Sequence, residues 1–197
     1  MKLSRQAWVS LRAMLVFTVV LGVLYPAAIW VIGLAMPSGS NGSLVRQNGQ
    51  VVGSSLIGQS FTDAKGNALP QWFQSRPSAA GTGYDGSASG GSNYGPENTD
   101  LIDAIKQRQS AIEKSDGVTA AQIPADAVTA SASGLDPDIS EAYALIQVAR
   151  VAKARGLSVG TVRALVEGYV EGRELGYLGE PTVNVLRLNL ALEALKP

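Results

Sequence analysis

Asp136-Pro137-Asp138 is the most carboxylate-dense point of the chain. Two Asp side chains flanking a proline could contribute to a Ca²⁺ site, but Ca²⁺ takes six or more oxygen ligands and no third acidic residue lies in that loop. The plainer reading is a proline turn that delivers Asp138 as the N-cap of a helix. Ser89-Gly90-Gly91-Ser92-Asn93 could cradle a phosphate through backbone N–H groups, yet neither G-x-x-x-x-G-K-[ST] nor G-x-G-x-x-G surrounds it, so an ordinary loop is favoured. Ser131 and Ser133 lie near Gly134 without the G-x-S-x-G pattern of a nucleophile elbow. A Ser-Lys dyad is the one nucleophilic pairing left. Its candidates, Lys106, Lys114 and Lys153, all fall on helix surfaces, where a solvated ammonium is the plainer explanation.

The absences narrow the chemistry further. The 197-residue chain has no His, which removes the commonest general base and the commonest transition-metal ligand, and with it any Ser-His triad. It has no Cys, so neither a disulfide framework nor a thiol nucleophile is available. No catalytic residue and no metal ligand is assigned, and the chain is expected not to be an enzyme.

Charge is distributed unevenly. All 16 acidic residues lie beyond Met36, whereas Lys2, Arg5 and Arg12 precede it, so residues 37–197 hold 13 basic and 16 acidic side chains, a net charge of −3. Without a Lys/Arg cluster, that portion has no electrostatic footprint for nucleic acid or anionic lipid. Residues 13–36, AMLVFTVVLGVLYPAAIWVIGLAM, carry no charge over 24 residues. As a helix this run spans a hydrocarbon core of roughly 30 Å. Gly33-Leu34-Ala35 offers the small residues of a signal-peptide cleavage site, but the run exceeds the roughly 7–15 residues of a signal h-region. The positive-inside bias places residues 1–12 in the cytoplasm and residues 37–197 outside. Pro26 removes the hydrogen bond that would reach the carbonyl of Gly22, which predicts a kink satisfied by a partner helix packing at Gly22 and Pro26. Trp8 and Trp30 fit interfacial anchors near the two ends.

The polar loops need elements to position them. Residues 37–50, rich in Ser, Gly and Asn, read as a flexible linker. Residues 51–61 form a β-prone run with Val51, Val52, Leu56, Ile57 and Phe61, and a turn at Gly66-Asn67 precedes Trp72-Phe73. Residues 77–96 hold six Gly and almost no large aliphatics, a long loop that cannot bury itself in a core.

The rest of the chain carries four helical patterns. Asn98 or Thr99 caps a helix with Leu101, Ile102, Ile105 and Ile112 on one face. Asp138 with Glu141 makes a capping-box-like start for residues 142–155, with Leu145, Val148, Ala149 and Ala152 inward and Gly156 as the stop. Ser158 caps a third helix through Val162, Leu165, Val166 and Tyr169, close enough to the second to form a helical hairpin. Residues 183–195 partly alternate like a strand, yet Val185, Leu188, Leu192 and Leu195 form a helical face, and a helix after an Asn184 cap is favoured. The fold expected is α+β: one N-terminal transmembrane helix, then a single extracytoplasmic domain over residues 51–197 with several helices and a small sheet.

Five strings, taken in order, carry a resemblance: residues 53–59 (GSSLIGQ), 72–79 (WFQSRPSA), 89–93 (SGGSN), 128–140 (VTASASGLDPDIS) and 179–186 (GEPTVNVL). Together they resemble the C subunit of the bacterial Kdp potassium-transporting P-type ATPase, nearly end to end and with the anchor included. The resemblance implies a four-part inner-membrane complex whose partners are a channel-like potassium-binding subunit, a P-type ATPase subunit that uses ATP and Mg, and a small single-helix subunit. This chain would be the accessory subunit, described in such families as a catalytic chaperone that raises the ATP affinity of the ATPase subunit, with direct ATP binding one suggested route. The topology derived above opposes direct contact, since nucleotide is cytoplasmic and the domain is expected outside. No cofactor-binding residue is therefore named for this chain. The polar loops supply candidates for a partner interface instead: Arg76, Ser89, Gly90, Gly91, Asn93, Asp136 and Asp138. Arg76 would recognise a partner carboxylate or form an internal salt bridge, the two weighing about equally. A membrane-anchored extracytoplasmic binding module and a Ser-Lys hydrolase are the alternatives from other classes.

Overall fold

A computed structural model describes residues 3–195. Lys2, one of the three cations in the topology argument, lies outside the described residues. The chain divides into two compact units, Met1–Leu44 and Val45–Pro197.

The first unit is dominated by one helical stretch: α1 (Leu3–Val19), a π-helical segment (Val20–Leu24) and α2 (Tyr25–Leu34), followed by the single turn α3 (Pro37–Ser40). Leu3–Leu34 is long and apolar enough to cross a membrane and none of its most apolar window is buried, making it the one candidate transmembrane helix among the described residues. The helix begins well before the uncharged run. Residues 3–12 include the good helix formers Leu, Arg, Gln and Ala and nothing that breaks a helix. Arg12 folds its guanidinium over the Trp8 ring at 4.8 Å. The defect expected at Pro26 is present, but it takes the form of a local widening. The N–H of Tyr25 reaches the carbonyl of Val20, five residues back. The one extra residue that this turn accommodates ahead of the proline relieves the clash that its ring would make with the preceding turn.

At the boundary with the second unit begins a hairpin, β1 (Leu44–Gln47) and β2 (Gln50–Ser54), which together form a two-stranded sheet. The linker reading of residues 37–50 is corrected here: Asn48-Gly49 adopts φ values of +51° and +81°, the positive-φ pair that a two-residue hairpin turn requires. Val51 and Leu56 of the β-prone run are exposed, so only part of it is core.

Helix α4 (Thr99–Asp116) is capped by Asn98, whose side chain accepts the N–H groups of Asp100 and Leu101. Ile112 is buried, whereas Ile102 is exposed, because the inward face of α4 is narrower than its apolar pattern. After the turn α5 (Ala125–Val128), strand β3 (Asp138–Ser140) leads into α6 (Glu141–Arg155). Its N-cap is Ser140, not Asp138: the Tyr143 N–H donates to Ser140 Oγ at 3.0 Å. Asp126 holds that cap by accepting from Ser140 N–H (2.7 Å) and Ser140 Oγ–H (2.9 Å). The inward stripe is Tyr143, Ala144, Gln147, Val148, Val151 and Ala152, while Ala149 faces solvent.

Gly156 at φ +67° closes α6, and Ser158 caps α7 (Val159–Gly168), giving the helical hairpin that the spacing predicts. Tyr169, expected inward, is exposed at the C-terminal end of α7. The chain then runs through β4 (Val170–Glu171), a ten-residue loop, β5 (Thr182–Asn184) and α8 (Val185–Ala194). Residues 183–195 are thus both strand and helix, with Asn184 ending one and capping the other. The sheet has the order β3-β5-β4, antiparallel throughout, with Ile139 and Val170 both opposite Val183. Ile139 and Val183 are buried, and the core they share with α6, α7 and α8 includes Phe73, Val148, Val151, Val162, Val166, Leu188 and Leu192. The α+β class is therefore observed, with the strands shorter than a sequence pattern resolves.

Candidate functional site: a loop-built face

Three loops, residues 53–59, 75–91 and 130–138, carry most of the distinctive strings, and the structure interleaves them. The Gly58 N–H donates to the Leu135 carbonyl (2.9 Å), Ser131 N–H to Pro77 (2.9 Å) and Gly90 N–H to Ser133 (2.8 Å). Side chains add to this: Ser78 Oγ–H donates to the Gly134 carbonyl (2.7 Å), Ser89 Oγ–H to Ser133 (3.0 Å) and Tyr84 O–H to Arg76 (2.7 Å). Gly134 sits at φ +69°, and a Cβ there would lie 2.6 Å from the Ala80 Cβ and 2.7 Å from the Gly90 carbonyl. Only glycine fits a left-handed residue under such an approach. The loop of residues 77–96 is thus pinned to its neighbours, and Ala80 is fully buried, contrary to the expectation that this loop stays out of the core.

Arg76 and Asp136 are brought together. Arg76 Nη1 donates to Asp136 Oδ2 at 2.8 Å, the internal salt bridge of the two alternatives, and both side chains are only partly exposed. Arg76 Nε is buried without a hydrogen-bond partner among the described residues. Asp136 Oδ1 accepts the Asp138 N–H at 3.1 Å. Asp138 itself accepts from Asn184 Nδ2 at 2.9 Å. Burial raises its carboxyl above the ordinary value despite that bond, and the carboxylates of Asp136 and Glu171 add to the rise. The Tyr84 hydroxyl is pushed up to about 12, chiefly by burial. Of the remaining candidates, Ser89 and Gly90 are engaged with Ser133, Gly91 lies against Ala132, and Asn93 is exposed in a left-handed conformation. A concavity of about 600 Å³ lies on this face, with Leu56, Ile57, Arg76, Ser131, Leu135 and Asp136 among its lining.

What holds Arg76 in place was not among the residues singled out from sequence. The extended segment at Phe73 and Gln74 takes its backbone partners from side-chain amides, in the way a strand would take them from a neighbouring strand. Asn189 of α8 accepts the Phe73 N–H (2.9 Å) and donates to the Phe73 carbonyl (3.0 Å). Gln147 of α6 accepts the Gln74 N–H (2.6 Å) and donates to the Gln74 carbonyl (3.2 Å). Arg150 completes the clasp by donating to the carbonyls of Pro70 (2.8 Å) and Trp72 (2.9 Å) and to the buried carboxylate of Asp116 (2.7 Å). Arg155 covers the Trp72 ring at 4.2 Å. The available signal was positional: Gln147 and Asn189 lie on the apolar stripes of their own helices.

The serine hydroxyls of this face are engaged in its own turns. Ser131 Oγ lies 3.2 Å from Ser133 Oγ and accepts the Asp136 N–H at 3.3 Å, a turn-stabilising role. Among the described residues, no three His, Cys, Asp or Glu side chains converge on a point, so no metal ligands are assigned.

Span and domain together define a class: a protein with one candidate membrane anchor and one α+β domain whose polar loops bind one another. The family model described as K+-transporting ATPase, c chain, matches residues 7–194, and the chain belongs to that family. It is 52% identical over 195 residues to the potassium-transporting ATPase KdpC subunit of Kineococcus radiotolerans, covering 99% of this chain and 96% of the relative. It is 50% identical over 189 residues to the KdpC subunit of Methylococcus capsulatus, covering 95% and 96%. With that of Mycobacterium tuberculosis the identity is 48% over 195 residues, covering 98% and 100%.

Proposed function

We propose that this chain is a non-catalytic accessory subunit of an ATP-driven, high-affinity potassium uptake complex in the bacterial inner membrane. Its domain lies outside and its N-terminus in the cytoplasm. It stabilises assembly and raises the ATP affinity of the ATPase subunit from a distance. Its partners are a channel-like potassium-binding subunit, the P-type ATPase subunit that uses ATP and Mg, and a small single-helix subunit. The observation that carries this reading is the family match over residues 7–194, which includes both the span and the domain. The charge asymmetry about residues 13–36 supports the orientation. From outside the membrane the domain cannot touch cytoplasmic nucleotide, so an effect on ATP affinity is a coupling free energy transmitted through the span or the channel subunit.

The test uses cells carrying the whole ATPase. Purification through a tag on the ATPase subunit should bring this chain down in fixed ratio, and a protease added outside spheroplasts should digest its domain. Deleting the chain should raise the ATP concentration needed for half-maximal potassium-stimulated hydrolysis. A domain cut only after lysis overturns the orientation, and an unchanged ATP dependence overturns the chaperone role.

A further inference from the structure

The loop between β4 and β5 projects three large apolar side chains into solvent: Leu175 is 79% exposed, Tyr177 69% and Leu178 48%. This is not a slack connection. The Gly176 N–H donates to the Arg173 carbonyl (3.0 Å) and the Leu178 N–H to the Glu174 carbonyl (2.9 Å), and Glu174 and Leu178 pair as an antiparallel bridge. Arg173 clamps the base of the loop by donating to the Gly179 carbonyl and the Glu180 carboxylate. Leu175 sits at φ +52°, a left-handed conformation that is strained for a branched side chain and that glycine or asparagine would adopt at little cost. A Cβ at Gly172, Gly176 or Gly179 would meet nothing within 4 Å among the described residues, so the tip stands clear of the rest of its domain there. Two separate costs therefore coincide at Leu175, exposed apolar surface and backbone strain. Both are features that collect at binding sites.

Charge decides what covers the tip. Around it stand Glu171, Glu174 and Glu180 against Arg173. Arg187 donates to Glu171 (3.0 Å) and Arg173 pairs with Glu180, and Glu174 is in no ion pair among the described residues. Peptide surfaces that insert into anionic bilayers pair an apolar face with Lys and Arg left free for the lipid. Here both guanidiniums are taken up by carboxylates, and the charge in no ion pair among the described residues is Glu174. We propose that Leu175, Tyr177 and Leu178 form a preformed knob that docks into an apolar socket, rimmed by cationic side chains, on another membrane subunit of the same ATPase. This rests on the proposed membership of that complex.

The experiment places a photo-crosslinking benzoylphenylalanine at Tyr177 of the full chain, in membranes of cells carrying the whole ATPase. A covalent adduct with one ATPase subunit is expected. Adducts with lipid alone, with a second copy of this chain, or with nothing overturn the knob. In parallel, the variant Leu175→Asn/Tyr177→Ser/Leu178→Ser should melt no lower than wild type, since Asn accepts the left-handed position. It should be retained by the tagged complex at least tenfold more weakly, and Glu174→Lys should weaken retention in the same direction. Full retention of the triple variant, or a loss of retention matched by a loss of folding, overturns the proposal. Wild-type retention on the same membranes separates the two readings: if wild type is retained and the triple variant is retained equally, the knob alone fails. If wild type itself is not retained, both fail.

Discussion

Asn189 and Gln147 commit both ends of their amides to two consecutive residues of an extended segment, so each stands in for a strand. Removing one leaves a buried backbone N–H and carbonyl without partners, and the desolvation cost of each orphan is about 1–3 kcal/mol. Asn189→Ala should therefore destabilise the domain by roughly 2–6 kcal/mol, with Asn189→Asp less tolerated than a surface Asn→Asp change. Urea unfolding of the full chain in detergent reads this directly, and a loss below about 0.5 kcal/mol would show that the segment finds other partners. The clasp was hidden in the sequence for a physical reason. A polar residue on a helix reads as solvent-facing unless its position on the apolar stripe is weighed, and Gln147 lies between Ala144 and Val148, Val151, as Asn189 lies between Val185 and Leu192. Asp138 failed in the opposite direction: its spacing to Glu141 suggested a cap, but Ser140 is nearer the helix and is itself held by Asp126, a residue 14 positions away that local spacing does not reveal.

Helices were legible where caps mark their ends: Asn98, Ser158, Asn184 and Gly156 all stand where the pattern places them. The strands of the core sheet are two or three residues long, too short for alternation to register, and their pairing comes from the helices packed against them. The hairpin of β1 and β2 was legible in principle from Asn48-Gly49, but the Ser/Gly/Asn-rich composition around it masked the signal. At the anchor the proline effect was foreseen and its form was not, because a π-helical turn is one of several ways to relieve the same clash. A Cβ at Gly22 would meet nothing within 4 Å, so the chain itself tolerates a larger residue there. If a partner helix packs at this widened turn, Gly22→Leu should loosen assembly without changing the chain's own helicity. The ratio of this chain to the tagged ATPase subunit should fall severalfold. Normal ratios with normal potassium-stimulated hydrolysis would show that Gly22 faces lipid.

Among the described residues, the core of the second unit is drawn from that unit alone. The clustered core and the partly buried residues packed on it run from Phe61 to Leu195, and none comes from the span. The loop-built face, the amide clasp and the β4–β5 hairpin likewise lie wholly within Val45–Pro197. A domain whose core, caps and buried polar groups, Arg76 Nε excepted, are satisfied within itself should fold without its anchor. The fragment of residues 45–197 is therefore expected to be soluble and to melt cooperatively at the temperature at which the domain of the full chain melts in detergent. Circular dichroism at 222 nm, compared between fragment and full chain with the span's constant helical signal subtracted, measures this. A fragment that shows helix without a cooperative transition, or binds a dye specific for exposed apolar surface, would mean that the span or the residues before Val45 complete the fold. That outcome would change how the proposed accessory role works. With independent units, the influence on ATP affinity proposed above would have to pass through the span or through a partner gripped by the domain. With an incomplete domain, folding itself would be the step coupled to assembly.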